Sequence, residues 1–369
     1  MVNKNLPLLR GDNTMRRHLN LIQFSRAFVP FLVILLHAKA FMNFYFHYNF
    51  LSLSNVSKSG GVYYFFALSG FMIFYLYKEE IGNHKIIKQY LYNRFIRIYP
   101  IYWMMTCGIL IIFIIFPVLV QSHTVNMGKI ITSLLLIPSK TEPVLGVAWS
   151  LVHTIYFYLI FTLVFIKYKL FSRYIPLLWI FFSIIFSIHL LHSSNYIINF
   201  LFNFNNLIFV LGILCAFLVT RIKININVSC FFVSLGIAGF PLSWINSQFT
   251  FIPIDLQITT TISSLFLILG FSSIDLQKEI KIPKFANFLG KASFSIYLTH
   301  FYCMSAISVL LSTYLKLPLP NFVIAILLIT LSTLCGCLVY IFLEKPIYQK
   351  LKSYRNKRGT SHKPSSINV

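Results

Sequence analysis

Arg26 and His37 stand eleven residues apart in the apolar run RAFVPFLVILLH. Eleven helical steps of 100° leave the two side chains about 20° from a common face and about 16 Å apart along the axis, so they cannot touch. A guanidinium can hold an oxyanion through paired N–H donors, and an imidazole, with an unperturbed pKa of about 6.5, is suited to moving protons near neutrality. A second reading is structural: Arg26 snorkels to headgroups and His37 sits at an interface. Arg94 and Arg97, three apart on one helical face in NRFIRIYPIYW, read either as ordinary cytoplasmic charge or as a phosphate fork. Ser69 and Gly70 interrupt the aromatic run YYFFALSGFMIFYLY, as small residues do where two helices pack closely. His300 follows Ser293, Ser295, Tyr297 and Thr299 in SFSIYLTH. It reads as a buried histidine bonded to a hydroxyl or carbonyl, or as a functional group. Glu344 is an acid at the inner end of the last apolar run, placed to pair with Arg94 or Arg97. Lys39, two residues past His37, points to the other side of its helix and is expected to snorkel outward.

The elements that must position these groups are set by composition. Of 369 residues, 57% are hydrophobic and only 11% charged, with 39 Phe and 21 Tyr. Soluble chains carry about 25% charged residues, so most of this one must be solvated by membrane lipid. Runs of about 20 apolar residues cross a bilayer as helix. Ten occur, at 21–43, 60–77, 98–120, 146–166, 174–191, 204–220, 228–245, 256–273, 289–312 and 322–343. The apolar stretch 130–137, ended by Pro138, is too short to span and is expected to be re-entrant or interfacial. The first run is too long for a signal peptide, contains Arg26 and His37 and has no small-residue cleavage site. It is a permanent helix. The fold class is therefore all-α and polytopic, and at bilayer depth each ionisable side chain is a candidate site. The Phe and Tyr read as lipid-facing, packing or interfacial-belt residues.

The 31 Lys and Arg against 8 Asp and Glu give +23, a balance that could suggest nucleic acid. Their distribution excludes it. Lys58, Lys129, Lys140 and Lys316 fall on one side, and Arg26 and Lys39 lie within the first run. All the others lie in segments 1–20, 78–97, 167–173, 221–227, 274–291 and 344–369. The positive-inside rule puts these segments, and both termini, in the cytoplasm. The organisation expected is a cytoplasmic segment 1–20, a membrane domain 21–346 and a cytoplasmic tail 347–369 that is polar and disordered from Ser353. The six Cys lie mostly in apolar runs without metal-ligand spacing, so neither a disulfide framework nor a metal site is expected. No internal duplication of the kind many transporters show is visible.

Taken in order, these segments resemble the membrane-bound acyltransferase family three: Arg26 with His37, the FFxxSGFxI helix from Phe65 to Ile73, RxxRIxP from Arg94 to Pro100, the WSL segment from Trp149 to Leu159, SFSIYLTH from Ser293 to His300, and EKP from Glu344 to Pro346. The likeness covers residues 21–346. It implies about ten helices in a bacterial inner membrane, with an acyl-CoA, commonly acetyl-CoA, as donor and co-substrate. The acceptor would be a hydroxyl of a cell-surface polysaccharide or lipid-linked sugar. On this reading Arg26, Arg94 and Arg97 hold the donor's phosphates and His37 deprotonates the acceptor. Ser69, Trp149, Ser150, His153, Tyr158, His300 and Glu344 are supporting candidates. Many family members carry a carboxylate five residues after the Trp, where this chain has Thr154. His153 is the neighbouring substitute, but a step of 100° puts it on another face, and an interfacial structural role is its other reading. Some relatives carry an extra extracytoplasmic domain. The short segment after Glu344 leaves no room for one, so a second catalytic step would need another protein. The alternative from a different class is a transporter or flippase of a glycan or acyl intermediate.

Overall fold

The structure, a computed structural model, describes residues 17–115, 126–315 and 318–358. Most of the N-terminal segment, the outer end expected for the third span (116–120), Lys316 and the tail beyond 358 lie outside the described residues. Among the described residues every regular element is helical. The helices are α1 (Asn20–Phe46), α2 (Gly61–Tyr77), α3 (Ile87–Ile115), α4 (Met127–Leu135), α5 (Trp149–Thr162), α6 (Ile175–Ser187) and α7 (Tyr196–Leu201). They continue with α8 (Phe204–Arg221), α9 (Ile226–Phe249), α10 (Leu256–Gln277), α11 (Lys284–Val309), α12 (Asn321–Val339) and α13 (Lys345–Arg358).

Nine helical stretches among the described residues are long and apolar enough to cross a membrane. The tenth expected span is α2, whose 17 residues stand at the short end of the range of about 17–25 that can cross. It is enclosed by protein rather than lipid, with most of its residues buried. The third span also begins earlier than the apolar run suggests. Arg94, Arg97 and Pro100 all lie inside α3, because the two arginines are sheltered by protein and do not have to end the helix in water.

Polar side chains meet the open N–H groups of several helix starts. Asn126, Asn195, Asn203, Asn225 and Asp255 each accept a backbone N–H at the start of α4, α7, α8, α9 and α10. Close packing comes from small residues. A Cβ on Gly70 would strike the Phe209 carbonyl of α8, and one on Gly212 would strike the Ala67 carbonyl of α2, so α2 and α8 meet backbone to backbone in a reciprocal contact. The hydroxyls that make α10 polar for a membrane helix are satisfied internally: Thr260, Thr261, Ser263, Ser264 and Ser272 each donate to the carbonyl four residues back.

Helices α1 and α11 run side by side in the same direction. Near the basic end Gln23 Nε2 donates to the Asn287 carbonyl (3.3 Å), and farther along His37 lies against His300. Lys39 does not snorkel to lipid. Its ammonium donates to the Ser54 and Val56 carbonyls, both at 3.0 Å, and ties down the turn between α1 and α2, because unpaired carbonyls there are stronger partners than a headgroup.

The start of α1 has no side-chain cap of its own. The cap comes from the far end of α10, where the Asp275 carboxylate accepts Leu21 N–H (2.9 and 2.8 Å) and Ile22 N–H (3.1 Å). An anion at a helix N-terminus meets both the open donors and the positive end of the helix dipole. Arg17, donating to the Leu276 carbonyl (2.8 Å), and Asn20, donating to the Ile280 carbonyl (2.8 Å), clamp the same corner. Asp275→Ala is expected to lower unfolding free energy by about 1–2 kcal/mol and to speed amide exchange over residues 20–23. Unchanged exchange there would show that the carboxylate is not the cap.

Candidate active site

The segment 127–148 sets the site's shape. Helix α4 ends against the middle of α3, where Tyr99, Tyr102 and Trp103 donate to the carbonyls of Leu135 (3.2 Å), Ser133 (2.7 Å) and Leu134 (2.8 Å). Three open carbonyls at a helix C-terminus are thus each given a ring donor. The chain that follows is irregular up to a single 3-10 turn at Gly146–Ala148 and lies against the middle of α11. There Tyr302 Oη donates to the Val144 carbonyl (2.9 Å) and accepts Gly146 N–H (3.0 Å), while Tyr297 Oη donates to the Val147 carbonyl (2.8 Å). Ser133 Oγ accepts Val144 N–H (2.9 Å). Irregular backbone at membrane depth is tolerated only where protein or trapped water meets its polar groups, and here side chains from α3, α4 and α11 do so. The stretch expected to be re-entrant or interfacial is a nine-residue helix whose end packs on the middle of α3. Several of the tyrosines expected to be packing or belt residues are its anchors.

This loop delivers α5 to a cavity built from five helices. Arg26 (α1), Phe65, Phe66 and Ser69 (α2), Arg97 (α3), Ser150, Thr154 and Tyr158 (α5) and Ser293 and Tyr297 (α11) line it. Its volume of about 120 Å³ is that of about four waters. Ser69 and Gly70 divide the labour of their small-residue pair: Gly70 packs on α8 and Ser69 faces the cavity. Ser150 Oγ and Tyr297 Oη are hydrogen-bonded at 2.9 Å. Arg26 donates to Gln23 Oε1 (3.1 Å) and lies close enough to Arg97 for the two charges to repel. Glu344 accepts a short bond from Ser295 Oγ (2.5 Å) and attracts both guanidiniums. Among the described residues, however, neither Arg26 nor Arg97 forms an ion pair within 4.0 Å. Two like charges facing one low-dielectric cavity are unfavourable by themselves, and an anion between them would relieve the repulsion.

The remaining candidates separate from this cavity. Arg94, expected beside Arg97 in a phosphate fork, is instead enclosed by the rings of Tyr77, Tyr90 and Tyr158, 5.7, 5.8 and 5.5 Å from its guanidinium carbon. A weakly hydrated guanidinium stacks well on aromatic faces, and through Tyr158 it supports the cavity wall from behind. The expected pairing of Glu344 with Arg94 or Arg97 is replaced by the bond to Ser295. His153 and Trp149 lie on the other face of α5 and line a second cavity with Lys140, Glu142 and Tyr196. His153 is stacked on Phe200 (4.3 Å) and held by Asn206 (3.2 Å) and Asn205 (3.4 Å), so it does not stand in for a carboxylate at Thr154. Thr154 faces the first cavity, with its hydroxyl donating to the Ser150 carbonyl (2.9 Å).

His37, partly exposed on α1, meets His300 of α11 at a ring separation of 5.1 Å and Phe301 at 5.2 Å. His300 in turn lies 5.8 Å from the ring of Tyr297. The imidazole pair thus sits on α1 and α11, two of the five helices that build the two-arginine cavity, and meets that cavity through Tyr297. Among the described residues no group of three or more His, Cys, Asp or Glu is arranged to hold a metal.

A family model described as an acyltransferase domain matches residues 20–341. No curated protein and no solved structure gives a match.

If tyrosine hydroxyls hold the loop, Tyr297→Phe and Tyr302→Phe together leave buried backbone groups unpaired, at a penalty of about 1–3 kcal/mol each. Amide exchange across residues 144–150 should rise sharply while α9 and α10 exchange as before. Exchange that stays slow across the loop would assign its hold to something other than these hydroxyls.

Proposed function

The chain belongs to acyltransferase family three and is a multi-pass membrane acyltransferase, and from that premise we propose that it moves an acyl group, most simply acetyl, from a cytoplasmic acyl-CoA to a sugar hydroxyl. The acceptor is a cell-surface polysaccharide or a lipid-linked sugar in a bacterial inner membrane. The observation that carries this reading is the cavity faced by Arg26 and Arg97, with no carboxylate in ion-pair range among the described residues, which shares helices α1 and α11 with His37 and His300.

Charge distribution makes the arginine end cytoplasmic, the side from which a CoA ester comes. Arg26 and Arg97 hold the phosphates by charge-assisted bonds, with Ser69, Ser150 and Tyr158 offering hydroxyls alongside. In this reading the phosphates sit at the cavity, the nucleotide rests on the basic surface and the pantetheine arm extends along α1 and α11. Arg26 and His37 are about 16 Å apart along α1, a separation that supports a reading with the thioester carbonyl at the histidine. His37 takes the proton of the acceptor hydroxyl as its oxygen attacks the carbonyl carbon. The C–O bond forms, the C–S bond breaks, and the proton passes to the departing thiolate. Arg94 serves this site indirectly by fixing Tyr158.

The assignment separates binding from turnover. In membrane vesicles containing the full chain, Arg26→Ala and Arg97→Ala should each raise KM for acetyl-CoA about tenfold or more, since a charge-assisted bond contributes about 1.5–3 kcal/mol. His37→Ala should lower kcat about 10²–10⁴-fold with acetyl-CoA binding intact. Arginine variants with unchanged KM, or a His37→Ala enzyme that still turns over, would contradict these roles.

A further inference from the structure

Resting on the proposed role of His37, we infer that His300 is the positioning residue that orients His37 and shares the charge it acquires during transfer, through Nε2.

His300 is fully buried. Its Nδ1 lies 2.7 Å from the Tyr297 carbonyl oxygen, an atom that can only accept. Nδ1 therefore carries the hydrogen, and in the neutral ring Nε2 is the bare acceptor. That Nε2 is buried and has no hydrogen-bond partner. Buried polar atoms are nearly always paired, so an orphan of this kind calls for a donor that arrives during function. The neighbour able to supply one is His37. Two imidazoles joined by an N–H···N bond of about 2.9 Å have ring centres about 5 Å apart, and these rings stand at 5.1 Å with a 51° tilt. On this inference, rotation of the partly exposed His37 ring closes the bond.

The alternatives for orienting His37 are absent or engaged elsewhere. Thr154 donates to the Ser150 carbonyl, His153 faces the second cavity and Glu344 accepts from Ser295. Lys39 is held by the Ser54 and Val56 carbonyls, and Phe301 closes the other flank of His37 with an edge-on ring. During transfer one nitrogen of His37 takes the hydroxyl proton while the other, as N–H, donates to His300 Nε2. When the proton leaves with the thiolate, both rings return to neutral. His300 gains no proton, and no further reactant is needed. Tyr297 links the parts: its carbonyl sets the His300 tautomer, and its hydroxyl holds the loop and Ser150 at the donor cavity.

Two substitutions distinguish this role from a merely structural one. His300→Asn can keep an amide N–H for the Tyr297 carbonyl but offers nothing at Nε2. His300→Gln places an acceptor near Nε2 and loses the Nδ1 position. The assay is release of free CoA thiol from acetyl-CoA in vesicles carrying the full chain, with surface glycan from the same cells as acceptor. His300→Asn should lose about 10²-fold in kcat with KM for acetyl-CoA unchanged, and His300→Gln should recover about a tenfold share of that loss. Full activity in His300→Asn, or Asn outperforming Gln, overturns the inference. Wild-type vesicles that release no more thiol than vesicles without the chain would overturn the acyl-transfer reading and this one with it. A readout independent of turnover is the ¹⁵N spectrum of histidine-labelled protein. One Nδ1–H tautomer signal should vanish in His300→Gln, and an Nε2–H tautomer at His300 refutes the proposal.

Discussion

Backbone polar groups at bilayer depth must find partners inside the protein, and the architecture of the site follows from how the segment 127–148 meets that demand. A helix too short to cross ends halfway through the bundle, and an irregular loop carries the chain on to α5. Tyr99, Tyr102 and Trp103 of α3 cover the carbonyls at the end of α4, and Tyr297 and Tyr302 of α11 hold the loop. Because α5 starts from this anchored point, its Ser150, Thr154 and Tyr158 stand opposite Arg26 and Arg97. Loosening the loop would loosen one wall of the cavity and the histidine pair together, since Tyr297 belongs to both.

Electrostatics divides the arginines by surroundings rather than by sequence spacing. Arg94 and Arg97 are three residues apart, yet one is surrounded by tyrosine rings and the other faces an open cavity with Arg26. An aromatic cage stabilises a guanidinium without a counter-ion, which sets Arg94 apart from the cavity pair. Among the described residues Arg26 has the Gln23 amide oxygen, and both guanidiniums feel the attraction of Glu344, whose bond goes to Ser295. The pair is left with affinity for an anion, in a chain whose charge gathers at the same end.

Much of the fold was legible in the sequence, since apolar runs of spanning length have few other outcomes, and α2 could be found although it is short. Arg26 and Arg97, which line the cavity, could be singled out because ionisable groups are rare in such runs, whereas Ser69 read as half of a packing pair with Gly70. The separation of Arg94 from Arg97 was not, because helical spacing states the face a residue occupies but not which neighbours enclose it. The anchoring tyrosines were hidden for a similar reason: among so many Phe and Tyr, a residue that hydrogen-bonds a distant carbonyl looks like one that packs. The capping role of Asp275 was hidden because the helix start it caps lies more than 250 residues away. The pairing of His37 with His300 depends on α1 and α11 running parallel, which periodicity within either helix cannot reveal.

The central claim is that this chain attaches an acyl group to a sugar through His37. The direct test is mass spectrometry of surface polysaccharide and lipid-linked sugars from cells with the intact gene, without it, and with His37→Ala at matched protein level. One added acyl mass that disappears both in the deletion and in His37→Ala is the predicted result, and its size identifies the group transferred. Glycan and lipid-linked fractions identical in all three strains, with the protein present in the membrane, would contradict the account.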